Sequence, residues 1–294
     1  MKKALLVGIN NYQNSPLNGC VNDVILINAI LTQRLGFKQE DVKILIDNEA
    51  TKINIENQLK QLVANVQNGD TIVFHYSGHG SQVPNNRVGS IEIDRKDEIL
   101  CPVDLNWENV LRDNDLNIIF NSVPSGVKPI VILDCCHSGT GVRAQFYNTK
   151  VGHFKNRYLQ PPIEVYMNDP IFSVDISGSL KQFDLIDSAK NLFRSLYKRI
   201  FSTNSNIVDT NNAQGNTVLI SGCKDHQYSA DAYINNKYHG ALTYVLYEVL
   251  SLSNYNISYK NLITQVNSRM KKYKFTQQPQ LECKKDFFDI NFLK

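Results

Sequence analysis

The sequence predicts an α/β protein with a mostly parallel central sheet flanked by helices. Short apolar, β-branched runs recur at residues 4–9, 42–46, 71–76, 129–135 and 217–221. Helical patterns separate them, and strands that alternate with helices assemble as parallel strands joined by crossover helices. The composition, 42% hydrophobic and 20% charged over 294 residues, supplies enough apolar surface for one substantial core.

The chain begins MKKALLVGINNY. Two lysines and about five apolar residues fall short of a signal-peptide core, and no small-residue cleavage site follows, so this run reads as the first strand. Over residues 19–35, Val24, Ile27, Leu31 and Leu35 share one helical face, and Gly36 is placed as the stop. Residues 51–66 repeat the pattern with Leu59, Leu62 and Val66 inward. Asn68, Gly69 and Asp70 then turn the chain into the third strand. After the fourth strand the character changes. Residues 144–215 carry runs of Asn, Ser and Thr around one amphipathic stretch, 185–200, and read as a linker or variable insertion. Alternation resumes with TVLISGC, helices over 240–252 and 259–272, and a final apolar stretch, FFDINFL.

Several function classes are excluded. The net charge is only +3 and the basic residues are scattered, apart from a helix-end cluster at Lys271, Lys272 and Lys274. Nucleic-acid binding calls for a basic stripe. No apolar run approaches the roughly 20 residues that span a bilayer, so the expectation is a cytoplasmic protein without a membrane partner. Six cysteines at irregular spacing, two of them adjacent, do not make a disulfide framework and leave thiols free for chemistry.

In an open parallel sheet, functional groups collect beyond the carboxyl ends of the strands. The third strand ends IVFHYSGHGSQ and the fourth IVILDCCHSGTG. His75 lies within its strand between Phe74 and Tyr76 and reads as a buried core histidine. His79, between Gly78 and Gly80, sits in a loop where the backbone can approach a substrate closely. Cys135, Cys136 and His137 alternate in direction and cannot converge on one metal, and the usual zinc spacings are absent. A thiol nucleophile needs an imidazole partner and amide donors for an oxyanion. His79 and Cys136, with the amides of Gly80 and Cys136, supply these parts.

HYSGHG followed by DCCHSG, with Cys136 57 positions after His79, resembles the paired boxes of the caspase-like peptidases, which place the histidine about 50 residues upstream of the cysteine. The pattern is most similar to the metacaspases, and among them to the short bacterial orthocaspases. LNGCVNDV, DEILCPVD and SGCKDHQYSADA resemble further metacaspase segments in the expected order. The resemblance selects Cys136 over Cys135 as nucleophile, with His79 as base. It implies a caspase-like sandwich: a large catalytic part at 1–143, a variable insertion at 144–215, and a small part at 216–294 completing the same sheet.

The family cleaves after Arg or Lys, which implies a carboxylate pocket for a cationic side chain. By resemblance its carboxylates are Asp23 and Asp134, with Ser77, Cys20 and Asp225 as further lining. Helix capping is the structural alternative for Asp23. Many metacaspases need calcium, and Asp97 and Asp113 match two of the family's calcium-site aspartates. Asn114 and Arg143 stand where further oxygen ligands belong, so no cofactor is expected. Arg143, Lys150, Lys155 and Arg157 are candidate self-cleavage points in an exposed segment. The expected partners are protein or peptide substrates carrying Arg or Lys, met by a monomer. The other classes to weigh are an inactive caspase-like scaffold, which would lack nucleophile or base, and an unrelated hydrolase or metal-binding protein on the same sheet.

Overall fold

The structure, a computed structural model, describes residues 1–85, 96–136, 154–167, 206–210, 216–224 and 227–293. Strands β1 (Lys2–Gly8), β2 (Val42–Ile46), β3 (Thr71–Ser77) and β7 (Lys128–Asp134) fall where the apolar runs lie. With β9 (Ile207–Asp209), β10 (Val218–Ser221) and β13 (Gln280–Cys283) they form one seven-stranded sheet in the order β2-β1-β3-β7-β10-β13-β9. Every pairing in it is parallel except β10 with β13. Strands from residues 2–134 and from residues 207–283 therefore share one sheet.

Alternation along each strand fixes the two helix layers. Ala4 and Leu6 of β1 face one cluster, which gathers Val24, Ile27 and Leu31 of α1 (Cys20–Arg34), Leu242, Val245 and Leu246 of α5 (Ala241–Leu252), and Leu262 and Val266 of α6 (Tyr259–Lys272). Leu5 and Val7 face the other, with Ile55, Leu59 and Leu62 of α2 (Lys52–Val63) and Leu116 and Phe120 of α3 (Asp113–Asn121). Helix α1 ends as its sequence suggests: Gly36 follows the cap residue Leu35 with φ +73°, a left-handed position that glycine takes without a Cβ clash.

Two smaller sheets were not foreseen. One joins β4 (Gly80–Pro84), β5 (Lys96–Leu100) and β6 (Leu111–Arg112) in that order. The other has the order β12-β11-β8, from β8 (Phe154–Asn156), β11 (Ala230–Ile234) and β12 (Lys237–Gly240). Two stretches of the expected insertion thus belong to the folded body. Residues 154–167 supply β8 and the short helix α4 (Ile163–Met167), and residues 206–210 supply β9. The amphipathic stretch 185–200 lies outside the described residues. No helix among them is long and apolar enough to cross a membrane.

His75 is fully buried in β3, with Nε2 3.3 Å from the Thr243 hydroxyl. Burial penalises the imidazolium and lowers its pKa from 6.5 to about 4. Across that interval the unfolded chain binds the proton more readily than the folded one, so stability falls as the pH drops. Urea denaturation should show His75 contributing a loss of about 2 kcal/mol between pH 7 and pH 5. His75→Leu should flatten that part of the slope, and an unchanged slope would contradict the assignment.

Candidate active site

The register of the two central strands assembles the site. Ser77 of β3 pairs with Asp134 of β7, and the chain continues two residues past each of them to His79 and Cys136. Both therefore emerge side by side at the carboxyl ends of neighbouring strands. Cys135, between them in sequence, turns into the apolar cluster under α2 and α3, where it is 1% exposed.

His79 is more enclosed than its glycine-flanked loop suggested, at 1% exposed. Its amide donates to the Tyr12 hydroxyl (2.9 Å), and the Tyr76 hydroxyl lies 2.8 Å from its carbonyl. The Tyr12 ring packs with its centroid 4.6 Å from the imidazole. Nε2 lies 2.7 Å from the Ser15 carbonyl, an acceptor only, so this nitrogen carries the ring proton in the neutral tautomer. Nδ1 is left as the basic nitrogen, and among the described residues it has no hydrogen-bond partner. Burial lowers the His79 pKa, and the Ser15 carbonyl opposes that shift without cancelling it. The ring is neutral at pH 7 and able to accept a proton.

The Cys136 sulfur accepts the Ser229 amide and lies 3.5 Å from the Ser229 carbonyl. What lies against Cys136 is the chain's own residue 157. The Arg157 carbonyl accepts the amides of Gly80 (3.0 Å) and Cys136 (3.3 Å), and the Arg157 amide donates to the Ser229 carbonyl (3.0 Å). Two converging backbone N–H groups on one carbonyl are the arrangement that stabilises an oxyanion. Upstream, Phe154, Lys155 and Asn156 pair antiparallel with Ala232, Asp231 and Ala230 of β11.

The Arg157 side chain, fully buried, enters a pocket of three aspartates. Nη2 donates to Asp23 Oδ2 (2.9 Å) and Asp231 Oδ1 (3.0 Å). Nη1 donates to Ser77 Oγ (2.8 Å) and the Asp134 carbonyl (3.0 Å), and lies 3.3 Å from Asp134 Oδ1. Each carboxylate is also anchored from behind. Asp23 accepts the Gly240 amide (2.9 and 3.0 Å) and faces His239 Nδ1 (3.2 Å). Asp134 accepts the amide and hydroxyl of Thr243 and the hydroxyl of Ser229, all at 2.8 Å. Asp231 accepts the amides of Asn18 (2.8 Å) and Gly19 (2.9 Å) at the start of α1. Residue 240 must be glycine, because a Cβ there would lie 2.2 Å from Asp134 Oδ2 and 2.3 Å from Arg157 Nη1.

Burial pushes the Asp23 carboxyl up, but Arg157, His239 and the Ser77 hydroxyl together carry it below its usual range. For Asp134 burial prevails: its pKa is raised, with Arg157 lowering it and Asp23 adding to the rise. Cys20 lines the same wall as an inert thiol whose pKa burial pushes far up.

The structure thus brings together Asp23, Asp134, Ser77, Cys20, Gly80, His79 and Cys136. Asp225, Arg143 and Lys150 lie outside the described residues. Asp23 does not cap α1; Gly19 holds that position, and the Asp23 carboxylate turns to the guanidinium. Lys155 is exposed, with Nζ 2.7 Å from the Pro16 carbonyl. Arg157, expected in an exposed segment, is buried because the pocket carboxylates need its positive charge. Asp97 is bonded to Arg112 Nε at 2.7 Å, and Asp113 opens α3. Among the described residues no group of three His, Cys, Asp or Glu side chains is arranged to hold a metal. Sequence reasoning missed Asp231, whose signal was a carboxylate inside an apolar strand, and the Ser15 carbonyl, for which no side-chain signal exists.

A neutral imidazole and a thiol at adjacent strand ends, with paired amide donors, place this fold in the class of caspase-like cysteine peptidases. A family model described as a caspase domain matches residues 1–288. Metacaspase-1 of Schizosaccharomyces pombe is 33% identical over 299 residues, covering 96% of this chain and 67% of that protein. Metacaspase-1B of Aspergillus oryzae is 32% identical over 293 residues, with 96% and 67% covered. The crystal structure of protein GSU0716 from Geobacter sulfurreducens superimposes with a TM-score of 0.65 at 25% identity, covering 100% of this chain and 98% of that one. The chain belongs to the metacaspases.

Removing the pocket's cation tests its energetics. Arg157→Ala leaves three buried carboxylates without their counter-charge and should cost about 3 to 5 kcal/mol at neutral pH. Unpaired carboxylates in the folded state take up protons more readily than in the unfolded chain, so the deficit should shrink as the pH is lowered. A deficit below about 1 kcal/mol at pH 7 by urea denaturation would show that the ion cluster contributes little.

Proposed function

We propose that this chain is a cysteine endopeptidase that cuts after Arg, and less readily after Lys, through a Cys136–His79 dyad, and that its first substrate is its own Arg157–Tyr158 bond. The observation that carries this reading is the placement of Arg157: carbonyl on two amides beside the Cys136 backbone, guanidinium among three aspartates. A planar guanidinium uses both terminal nitrogens here, whereas a lysine ammonium reaches fewer of these acceptors, which supports the order Arg over Lys.

The sequence of events in this reading is acyl transfer through a thioester. His79 Nδ1 takes the thiol proton, and the Cys136 sulfur adds to the Arg157 carbonyl carbon. The amides of Gly80 and Cys136 stabilise the charge that develops on oxygen. The imidazolium then protonates the departing Tyr158 nitrogen, the C–N bond breaks, and a thioester remains on Cys136. Water, activated by His79, hydrolyses it. The Ser15 carbonyl orients the imidazole throughout. Calcium has no part in this scheme: Arg112 already supplies the positive charge beside Asp97.

Intact-mass spectrometry of purified wild type should show a cut between Arg157 and Tyr158, absent from Cys136→Ala and from Arg157→Ala. An identical fragment in Cys136→Ala would exclude self-cleavage. Reporter peptides ending in Arg should exceed their Lys counterparts by about ten-fold in kcat/KM. A chelator should leave the rate unchanged, and activity that vanished with it and returned with calcium would refute the calcium-free scheme. The acid limb of kcat should lie below the ordinary histidine value of about 6.5, because burial favours neutral His79.

A further inference from the structure

The segment after the scissile bond is as closely held as the segment before it. Tyr158 forms a parallel bridge with Gly80, the first residue of β4. The Leu159 amide donates to the Gly80 carbonyl (3.0 Å), and the Ser81 hydroxyl donates to the Leu159 carbonyl (2.6 Å). The Tyr158 ring meets the Tyr228 ring edge-on, with centroids 6.1 Å apart. Leu159 packs, half-buried, against the cluster that includes Val83 and Ile99; Gln160 is exposed and Pro161 buried.

These contacts have the form of strand addition. β4 is the outer strand of its sheet, and an outer strand offers unpaired N–H and C=O groups to an extended peptide. The residues before the bond add to the edge of β11 and those after it add to the edge of β4. Gly80 serves both sides of the scissile bond. Its amide holds the Arg157 carbonyl and its carbonyl holds the Leu159 amide.

We propose that the enzyme selects its protein substrates by the two residues after the scissile bond as well as by the arginine before it. The first site takes an aromatic side chain against Tyr228, and the second takes a branched aliphatic one beneath an extended backbone held by Gly80 and Ser81. The inference rests on reading Arg157–Tyr158 as bound substrate. It predicts that reporters carrying only a dye after the arginine understate the enzyme's efficiency, because they leave this binding energy unused.

The test uses internally quenched octapeptides on the full chain, in wild type and in Arg157→Ala, whose pocket no longer holds its own arginine. One peptide is Phe-Lys-Asn-Arg-Tyr-Leu-Gln-Pro, and the other replaces Tyr-Leu by Gly-Gly. The first should be cut with at least about ten-fold higher kcat/KM. Ser81→Ala and Tyr228→Ala should each narrow that ratio, a readout unaffected by a general loss of activity. Equal kcat/KM for two peptides that are both cut after Arg would overturn the primed-side proposal and leave the peptidase reading standing. A short Arg reporter that is cleaved while neither octapeptide is would do the same. Failure of all three substrates would overturn both.

Discussion

The buried guanidinium of Arg157 joins parts of the chain that are remote in sequence. Its carboxylate partners come from α1, from the end of β7 and from β11, and its backbone lies on amides at the ends of β3 and β7. Three carboxylates held together out of water repel one another and lose hydration, so the cluster is stable only with a cation inside it. The surrounding backbone enforces this need. Amides of Asn18, Gly19, Gly240 and Thr243 fix the carboxylate oxygens in place, and residue 240 has no room for a side chain. On the proposed reading, a pocket that cannot relax around the missing charge becomes a device for selecting it.

The same economy places His79 and Cys136. Parallel pairing in register means that equal extensions past Ser77 and Asp134 end side by side, so the sheet itself positions His79 against Cys136. The tyrosine hydroxyls that bind the backbone of His79 and the carbonyl that orients its ring all lie in the first hundred residues. The β4 strand that leaves this corner then offers its edge to Tyr158, the residue after Arg157. On the proposed reading, one short run, from His75 to Ser81, carries the base, an oxyanion donor and the primed-side edge.

This division explains what the sequence made legible. The long strands and helices announced themselves through burial: Leu59 and Leu62 of α2 recur on one helical face, and β1 is a continuous apolar run buried on both faces. The small sheets did not, because strands of two to five residues carrying Gly, Pro, Lys and Asp have no face long enough to show a period. Among the pocket carboxylates, Asp23 and Asp134 lay in recognisable motifs. Within the SGCKDHQYSADA segment the resemblance points to Asp225, which lies outside the described residues, while Asp231, flanked by Ala230 and Ala232 in a buried strand, is a carboxylate whose burial demands a partner. Ser15 contributes through its carbonyl, a group every residue has. In the sequence Arg157 is one of four self-cleavage candidates in a polar stretch, and only the fold supplies the negative pocket around it.

On the proposed reading, the bound Arg157 also shows where the barrier to cutting lies. Catalysis requires contacts that strengthen as the reaction proceeds, and a site that held the peptide equally well before and during attack would only retain it. Here the carbonyl already meets both amides and both terminal guanidinium nitrogens are paired, so neither can supply the difference alone. The groups still uncommitted are the reacting ones: His79 Nδ1 has no partner among the described residues, and the Cys136 sulfur is engaged by the Ser229 amide rather than by the imidazole. A turn of the Cys136 side chain towards His79 exchanges one hydrogen bond for another and starts proton transfer. The ground state is therefore bound but not aligned. On that reading, the separation allows one segment to serve first as a structural strand of the fold and then as its substrate.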